Sequence, residues 1–491
     1  MKKKIIVIGS GFAGLAAAID LADKGYAVTV LEKNEQHGGR ARQFTADGFV
    51  FDMGPSWYWM PDVFDQFFAR YGKKTGDYYE LTRLDPSYQI FFGQNDVMPL
   101  PAGRQELSDL FEAVEPGSSA NLDRFLKEAA YKYRVGMNEF VHKPGNSIWD
   151  FADLRVVSSL FRLQMFQSIS SHIRKLFKNE KLIKLLEFPV LFLGATPEKT
   201  PALYSLMNYA DLELGTWYPM GGMYRIVEAM VSLAEEKGVN LLLNQEVETV
   251  NLTGSSIDRV ITRNRDFEAD IVVAGADYHH IEQQILPYEY RQYTPEYWDK
   301  RTMAPSSLLF YLGVNKRLNG LLHHNLFFDE DFTLHAREIY DTPKWPSKPL
   351  FYVCAPSITD PAVAPGNCEN LFVLIPLAPG LEDSEEQREK YFRLVMDRLE
   401  RLTGQDIVES VIFKRSYAHR DFQQDYHAFK GNAYGLANTL MQTAFLKPKM
   451  RSSKVDNLFY AGQLTTPGPG VPPSLISGQV AAGEIKKIFS P

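Results

Sequence analysis

The stretch IIVIGSGFAG, residues 5–14, constrains the fold more than any other part of the chain. A run of β-branched residues leads into the glycine spacing G-x-G-x-x-G, and LAAAIDLADKG then continues with helical spacing. A second strand-like run, YAVTVLE, closes on Glu32. Strand, glycine turn, helix, strand and acid in this order predict a dinucleotide-binding βαβ unit. A secretion signal is the alternative for an apolar run behind MKKK, but the glycines interrupt the run and no cleavage site follows.

Each glycine and the acid of that fingerprint have a physical task. Gly9 permits the tight turn, Gly11 lets the backbone approach a pyrophosphate, and Gly14 lets helix and strand pack closely. The N–H groups at the start of the helix face the phosphates. Glu32 is placed to accept hydrogen bonds from ribose hydroxyls.

Composition excludes several classes of protein. The 491 residues carry a net charge of −7, which gives no electrostatic basis for binding nucleic acid. Only two cysteines occur, which is too few for a disulfide framework and favours a reducing, cytoplasmic compartment. No apolar run is long enough to span a membrane.

NAD-binding and FAD-binding proteins share this fingerprint, and a second glycine motif distinguishes between them. NEQHGGRAR places Gly39 and Arg40 just beyond the ribose acid, and GFVFDMGPSW then brings Met53 and Gly54 into a tight turn. An acid followed by GGR, behind a G-x-G-x-x-G turn, resembles the FAD proteins of the amine oxidase and carotenoid desaturase superfamily. The resemblance implies non-covalent FAD with the GGR segment along its phosphates.

The C-terminal segment indicates which branch of this superfamily the chain resembles. In VDNLFYAGQLTTPGPGVPPSLISGQVAAGEI, residues 455–485, a strand leads through a Pro/Gly loop into a helix with small residues on one face. We expect this helix start to offer another set of free N–H groups to the flavin. The loop resembles the C-terminal signature of bacterial phytoene desaturases. Gln463 stands where many other flavoproteins have aspartate, which favours the carotenoid branch.

The resemblance implies an α/β protein with a Rossmann-type, GR2-like FAD-binding domain assembled from discontinuous segments. We predict that residues 1–70, 215–285 and 450–491 form this domain. Residues 71–214 and 286–449 would form an α+β substrate region that includes a helical, membrane-associating part.

The same resemblance supplies the candidate cofactor-binding residues. They come from the first βαβ unit, the GGR and DMG turns, the strand near residue 247 and the C-terminal loop: Gly9, Gly11, Phe12, Ala13, Gly14, Glu32, Lys33, Gly39, Arg40, Met53, Gly54, Val247, Gly462, Gly470, Val471 and Pro472.

The reaction that the resemblance implies is FAD-dependent desaturation of a carotenoid precursor, from phytoene to neurosporene- or lycopene-type products. Electrons would pass to oxygen or a quinone. Carotene isomerase, ketolase or saturase activity on the same scaffold remains open, as does a lipid carrier without redox chemistry. A polar-substrate amine oxidase fits less well.

The sequence gives little indication of catalytic side chains. Glu213, which aligns with an acid in relatives, is the candidate catalytic residue, beside the alternative that it is a solvated acid. The adjacent pairs His279–His280 and His323–His324 would point apart, so we predict no metal site. The run Trp57, Tyr58, Trp59, Met60 would contribute to an apolar substrate cavity beside the flavin.

A basic segment suggests where the substrate enters. Residues 154–184 carry seven basic side chains and one acid, with apolar residues between them at helical spacing. A basic amphipathic helix binds anionic lipid surfaces. We expect peripheral association with the inner face of the cell membrane, against the alternative of a solvated helix that caps the substrate region.

Overall fold

The computed structural model describes residues 2–147 and 163–491. Its first layer is a five-stranded parallel sheet in the order β19-β13-β1-β2-β9. The central strands are almost entirely Val, Ile and Leu, because both faces of this sheet are covered. The five strands are β1 (Lys4–Ile8), β2 (Ala27–Leu31), β9 (Asn240–Leu242), β13 (Ile271–Ala274) and β19 (Leu458–Tyr460).

Helices cover one face of the parallel sheet and a second sheet covers the other. Three helices share one hydrophobic core with the sheet: α1 (Phe12–Asp23), α8 (Tyr224–Glu236) and α14 (Val471–Ile488). The opposite face packs on an antiparallel sheet of β10 (Val247–Thr253), β11 (Ser256–Thr262) and β12 (Asp266–Glu268). All these elements lie within the three segments predicted for the FAD domain, whose exact boundaries stay a prediction.

A seven-stranded sheet forms the second half, in the order β18-β14-β17-β16-β15-β6-β7. Only the β15–β6 pair is parallel. Hydrophobic clusters lie on both faces, so the inner strands, such as β14 and β17, also read as nearly continuous apolar runs. The strands are β6 (Tyr88–Gly93), β7 (Asp96–Leu100), β14 (Ser306–Val314), β15 (His324–Phe327), β16 (Phe351–Cys354), β17 (Glu369–Leu377) and β18 (Val411–Tyr417).

Two small antiparallel pairs and the remaining helices complete the described part. The pairs are β3 (Gln43–Ala46) with β4 (Phe49–Asp52), and β5 (Leu81–Arg83) with β8 (Trp217–Pro219). The helices are α2 (Pro61–Ala69), α3 (Arg104–Val114), α4 (Ser118–Val135), α5 (Ile169–Leu176), α6 (Glu180–Glu187), α7 (Leu206–Leu212), α9 (Tyr278–His280), α10 (Pro295–Asp299), α11 (Phe332–Tyr340), α12 (Glu385–Thr403) and α13 (His419–Tyr426).

The basic segment is not one continuous helix where it is described. Residues 154–162 lie outside the described residues, and the rest forms α5 and α6 with an extended break at Phe177. The apolar faces of both helices are buried in the core beside the seven-stranded sheet. Arg174 pairs with Glu180, and Lys181 pairs with Asp96. Among the helices described, none is both long and apolar enough to cross a bilayer.

Candidate functional site

A cleft of about 1430 Å³ lies at the carboxyl edge of the parallel sheet. We call it the glycine cleft. Most of the predicted cofactor residues line it: Gly9, Gly11, Phe12, Ala13, Glu32, Lys33, Gly39, Arg40, Val247, Gly462, Gly470 and Val471. Widely separated segments therefore meet at one edge of the sheet, which is where open α/β sheets bind ligands.

Four predicted residues lie outside the cleft lining. Gly14 and Gly54 act through packing, because a methyl group on either would collide with the carbonyl oxygen of Gly9 or Arg40, respectively. Met53 is buried, and its carbonyl oxygen accepts a hydrogen bond of 2.7 Å from the Tyr311 hydroxyl. Pro472 lies in the first turn of α14, behind the lining residues.

Two helices begin at the cleft with glycine in the N-cap position and no side-chain cap. At α1, a side chain on Gly11 would meet no atom within 4 Å, so open space lies directly above the free N–H groups. At α14, Pro472 and Pro473 have no N–H, so the first turn offers the amide of Val471 and not the set of donors that we expected. The stronger phosphate site is therefore the start of α1.

Glu32 stands at the end of β2 and is almost completely buried. One carboxylate oxygen accepts from the Ser10 amide at 2.9 Å and the Ser10 hydroxyl at 2.7 Å. The other accepts from the backbone amide of Asn34 at 3.0 Å. The Asn34 side-chain amide also donates to this second oxygen, at 2.9 Å, so four donors hold the carboxylate at the cleft wall. A ribose hydroxyl would replace one of the two side-chain donors.

Arg40 and Asp277, whose proximity the sequence did not signal, both line the cleft and influence each other electrostatically. Burial lowers the pKa of the Arg40 guanidinium, while nearby Asp277 opposes that shift. Burial also raises the pKa of Asp277 to about 6. Nε of Arg40 and Oδ2 of Asp277 have no hydrogen-bond partner among the described residues. Two orphaned polar atoms at the wall of one cleft fit a polar ligand such as the pyrophosphate and ribityl chain of FAD.

Other lining residues were also missed. Tyr426 lies with its ring 5.1 Å from the Arg40 guanidinium carbon, and His427 hydrogen-bonds Glu246 at 3.0 Å. These residues follow no glycine motif, so no local signal could have found them. Asp277 differs, because it directly follows the buried strand β13 and could have been inferred from the edge of the sheet.

A second cavity, of about 630 Å³, adjoins the seven-stranded sheet and α11. We call it the apolar pocket. Its walls are mainly Phe, Leu, Ile and Pro, and Tyr434 borders both this pocket and the glycine cleft. Other residues of its wall are Phe188, Leu326, Phe328, Phe332, His335, Ala336, Ile339, Tyr340, Tyr352 and Leu374.

The aromatic run after Gly54 does not line either cavity, contrary to our expectation. Trp57 stacks on His324 with 4.1 Å between ring centroids, and the Trp59 indole donates to Thr216. Tyr58 is buried and shares a hydroxyl hydrogen bond with Tyr79. These large side chains are used in the core between the two sheets.

Glu213 is also remote from the cleft lining. It follows α7 at the surface, about one third exposed, and forms an ion pair of 3.2 Å with Arg104. The nearby Asp211 is buried and accepts from the Tyr88 hydroxyl at 2.7 Å. Burial raises the pKa of Asp211 to about 7. Neither acid borders the glycine cleft or the apolar pocket, so the geometry gives no support to a catalytic role for Glu213.

Known proteins give an independent view of this site. Residues 12–486 match the family of flavin-containing amine oxidoreductases. The chain is 43% identical over 479 residues to a carotenoid 3,4-desaturase of Haloarcula japonica, with 97% of each chain covered. It is 33% identical to a 4,4'-diapophytoene desaturase of Staphylococcus haemolyticus, again with 97% of each chain covered. It is 31% identical to a zeta-carotene-forming phytoene desaturase of Myxococcus xanthus, with 97% of this chain and 93% of the relative covered.

Solved structures share the fold at low sequence identity. An oxidoreductase of Methanosarcina mazei superposes with a TM-score of 0.63 at 16% identity, covering 97% of this chain and 99% of that one. Cyclohexylamine oxidase of Brevibacterium oxydans superposes with a TM-score of 0.59 at 16% identity, covering 99% of both. The predictions of FAD and of an oxidoreductase are confirmed. The chain belongs to the flavin-containing amine oxidoreductase family and, within it, to the carotenoid desaturases.

Proposed function

We propose that this protein desaturates an acyclic carotenoid, removing two hydrogens from a saturated carbon–carbon bond. The observation that carries the proposal is the shared wall at Tyr434, which places an apolar pocket next to a cleft suited to FAD. A hydrocarbon chain has no polar group to anchor it, so a pocket of aromatic and aliphatic side chains is the appropriate container.

FAD would be held by the residues that line the glycine cleft. The start of α1 and the Arg40 guanidinium would hold the pyrophosphate, and Glu32 would accept from the adenosine ribose. Val247 would contact the adenine. Gly462, Gly470 and Val471 would lie against the ribityl and flavin end. When bound, FAD supplies the hydride acceptor for carbon.

The chain's own part in the reaction is to position the substrate and exclude water. His335 is the one side chain with an ordinary pKa near neutrality among the described residues that line the apolar pocket. Its ring nitrogens bond the Pro376 carbonyl at 3.0 Å and the Leu350 amide at 3.0 Å, and burial lowers its pKa to about 4. A neutral imidazole with both nitrogens engaged orients the pocket wall and does not take up a proton.

The position of the new double bond is a finer proposal. The relative at 43% identity is named a carotenoid 3,4-desaturase, which supports a bond near the end of an already conjugated chain. The relatives at 33% and 31% identity are named for diapophytoene and phytoene, which supports the second candidate, early desaturation of phytoene.

One experiment separates these candidates. FAD-loaded protein is mixed anaerobically with liposomes containing either lycopene or phytoene, and flavin bleaching and products are followed by absorbance and mass spectrometry. We expect faster bleaching with lycopene and a product that has lost two hydrogens at the chain end. Faster bleaching with phytoene would favour early desaturation. Isomers of unchanged mass would contradict desaturation altogether.

We also propose that the protein docks on anionic membranes and passes electrons to a quinone or oxygen. Phe166, within the basic segment, is 80% exposed, and Met441 is 74% exposed. A large exposed aromatic side chain within a basic segment suits insertion at a lipid surface. Phe166→Ser should reduce sedimentation with anionic liposomes, whereas Tyr288→Ser, which changes a 74% exposed residue elsewhere, should not. Equal binding of both variants and the parent would contradict docking through Phe166.

Reoxidation of reduced protein by air and by a soluble quinone would identify the electron acceptor.

A further inference from the structure

Two histidines and a cysteine converge where β15 begins and β16 ends. His324 pairs with Cys354 in the antiparallel register, and His323 directly precedes β15. All three side chains are buried, with at most 4% exposed. One ligand atom from each, a ring nitrogen or the sulfur, lies within 4.8 Å of the other two. The two histidine rings do not point apart as the sequence suggested, because their centroids are only 4.5 Å from each other.

The hydrogen bonds around these rings resemble those of a prepared ligand set. Nδ1 of His323 bonds the Thr359 hydroxyl at 2.8 Å, and Nδ1 of His324 bonds the Tyr352 hydroxyl at 2.6 Å. Nε2 of each ring is buried and has no hydrogen-bond partner in the described chain. Histidines that bind metals characteristically have one nitrogen fixed by a neighbouring group and the other left for the ion.

The charge around the cluster also suits a cation. Asp52 lines a small cavity together with His323 and Cys354, so a carboxylate shares the wall of the space beside the cluster.

Space for a fourth ligand adjoins the cluster. A small cavity is lined by His323, Cys354, Tyr218 and Ser56 among others. The Tyr218 hydroxyl is buried without a partner among the residues described, and its ring centroid lies 4.5 Å from that of His323. Either this hydroxyl or a water in the cavity would complete four-coordination.

We propose that His323, His324 and Cys354 form a buried zinc-binding site with a structural role. Imidazole and thiolate are the ligands that Zn²⁺ prefers, and binding releases the thiol proton to solvent. The site would join the seven-stranded sheet to the segment after β4, because Trp57 stacks on His324 and Tyr352 donates to Ser56. This inference is independent of the carotenoid reaction and goes beyond it.

The test measures the metal directly. Full-length protein without a histidine tag is dialysed against Zn²⁺ and then against buffer, and zinc is measured by mass spectrometry and X-ray absorption. We expect about one zinc per chain, with one sulfur at about 2.3 Å and nitrogens at about 2.0–2.1 Å. Cys354→Ala should lose this zinc, whereas Cys368→Ala, which changes the other, half-buried cysteine, should keep it.

The proposal can be tested even if Cys354→Ala does not fold, because a second measurement uses the parent protein. The parent protein loaded with Co²⁺ in place of Zn²⁺ should show the intense visible bands of a tetrahedral site with a thiolate ligand, at longer wavelengths than oxidised flavin. Parent protein that holds no zinc after dialysis, or zinc without a sulfur neighbour, would overturn the proposal. Retention of zinc by folded Cys354→Ala would overturn it equally.

Discussion

The glycine cleft and the apolar pocket share the wall at Tyr434, but different types of residue form the two cavities. The phosphate-facing wall of the cleft is formed by glycine turns and helix starts at the ends of parallel strands, beside charged and aromatic side chains. The pocket is formed by large side chains of β15, β16, β17 and α11. A site made of backbone is altered by any added atom, whereas a site made of side chains is altered in proportion to their size. The two regions should therefore respond differently to mutation.

The largest contrast lies within the first glycine motif itself. Gly14→Ala places a methyl group against the Gly9 carbonyl, which cannot move without distorting β1, and we expect a loss of about 3 kcal/mol or more with no FAD retained. Gly11→Ala meets no protein atom within 4 Å and has an ordinary negative φ, so the fold should persist while FAD binding weakens. Thermal unfolding and bound flavin absorbance measure the two effects separately. Equal thermal stability of the two variants would show that the cleft is not assembled this way.

The apolar pocket should respond to volume alone. Ala336 lies on α11 at the pocket wall, and Ala336→Phe would fill space that a hydrocarbon chain would otherwise occupy. We expect bound FAD to be unchanged and kcat/KM for the carotenoid to fall by about 10²-fold, the scale of a small misplacement of substrate. Ala336→Ser, which adds little volume, is the matched control. An unaffected kcat/KM in the Phe variant would place the substrate elsewhere.

The acid of the cleft should have an intermediate effect. Glu32→Gln keeps the size of a buried side chain and its contact with Ser10, but replaces a charged acceptor with a neutral one. Hydrogen bonds to charged groups are stronger by about 1.4 kcal/mol, so FAD affinity should fall by about tenfold. Fluorescence titration of apoprotein with FAD measures this. An unchanged affinity would remove Glu32 from the ribose site.

The smallest effect is expected at Glu213, outside both regions. Glu213→Gln breaks an ion pair with Arg104 whose side chains are about one third exposed, and such a pair is worth at most about 1 kcal/mol. FAD content and turnover should be unchanged, with the Arg104→Gln variant as a control for the ion pair. A fall in turnover at full FAD occupancy would restore Glu213 as a catalytic candidate.

The cofactor side could be predicted because its signals are local. Gly9, Gly11 and Gly14 lie within one short segment, and backbone geometry at a glycine turn is dictated by the sequence around it. Even here, prediction failed where context decided. Asp277 comes near Arg40 only through the order of strands in the sheet, whereas the loss of donors at Pro472 and Pro473 of α14 was already visible in the sequence.

The substrate side could not be predicted in the same way, because its residues are not neighbours in sequence. Trp57 and Tyr58 are apolar and follow a cofactor turn, but whether such side chains face a cavity or a core depends on the sheet packed against them. Here β15 and β16 supply His324 and Tyr352 as partners for Trp57, so this side chain packs against the core and does not face a cavity. The described part of the basic segment likewise contains two helices, α5 and α6, whose apolar faces are buried in the core beside the seven-stranded sheet.

The sequence by itself determined that this chain binds FAD and belongs with the carotenoid desaturases, because short-range glycine geometry and the order of the motifs leave few other solutions. Only the tertiary structure decided where the apolar pocket meets the cleft at Tyr434 and that His323, His324 and Cys354 converge. The physical reason is the distance along the chain between the residues that form each feature. A turn is specified by adjacent dihedral angles, whereas a cavity or a ligand cluster exists only after distant strands have paired.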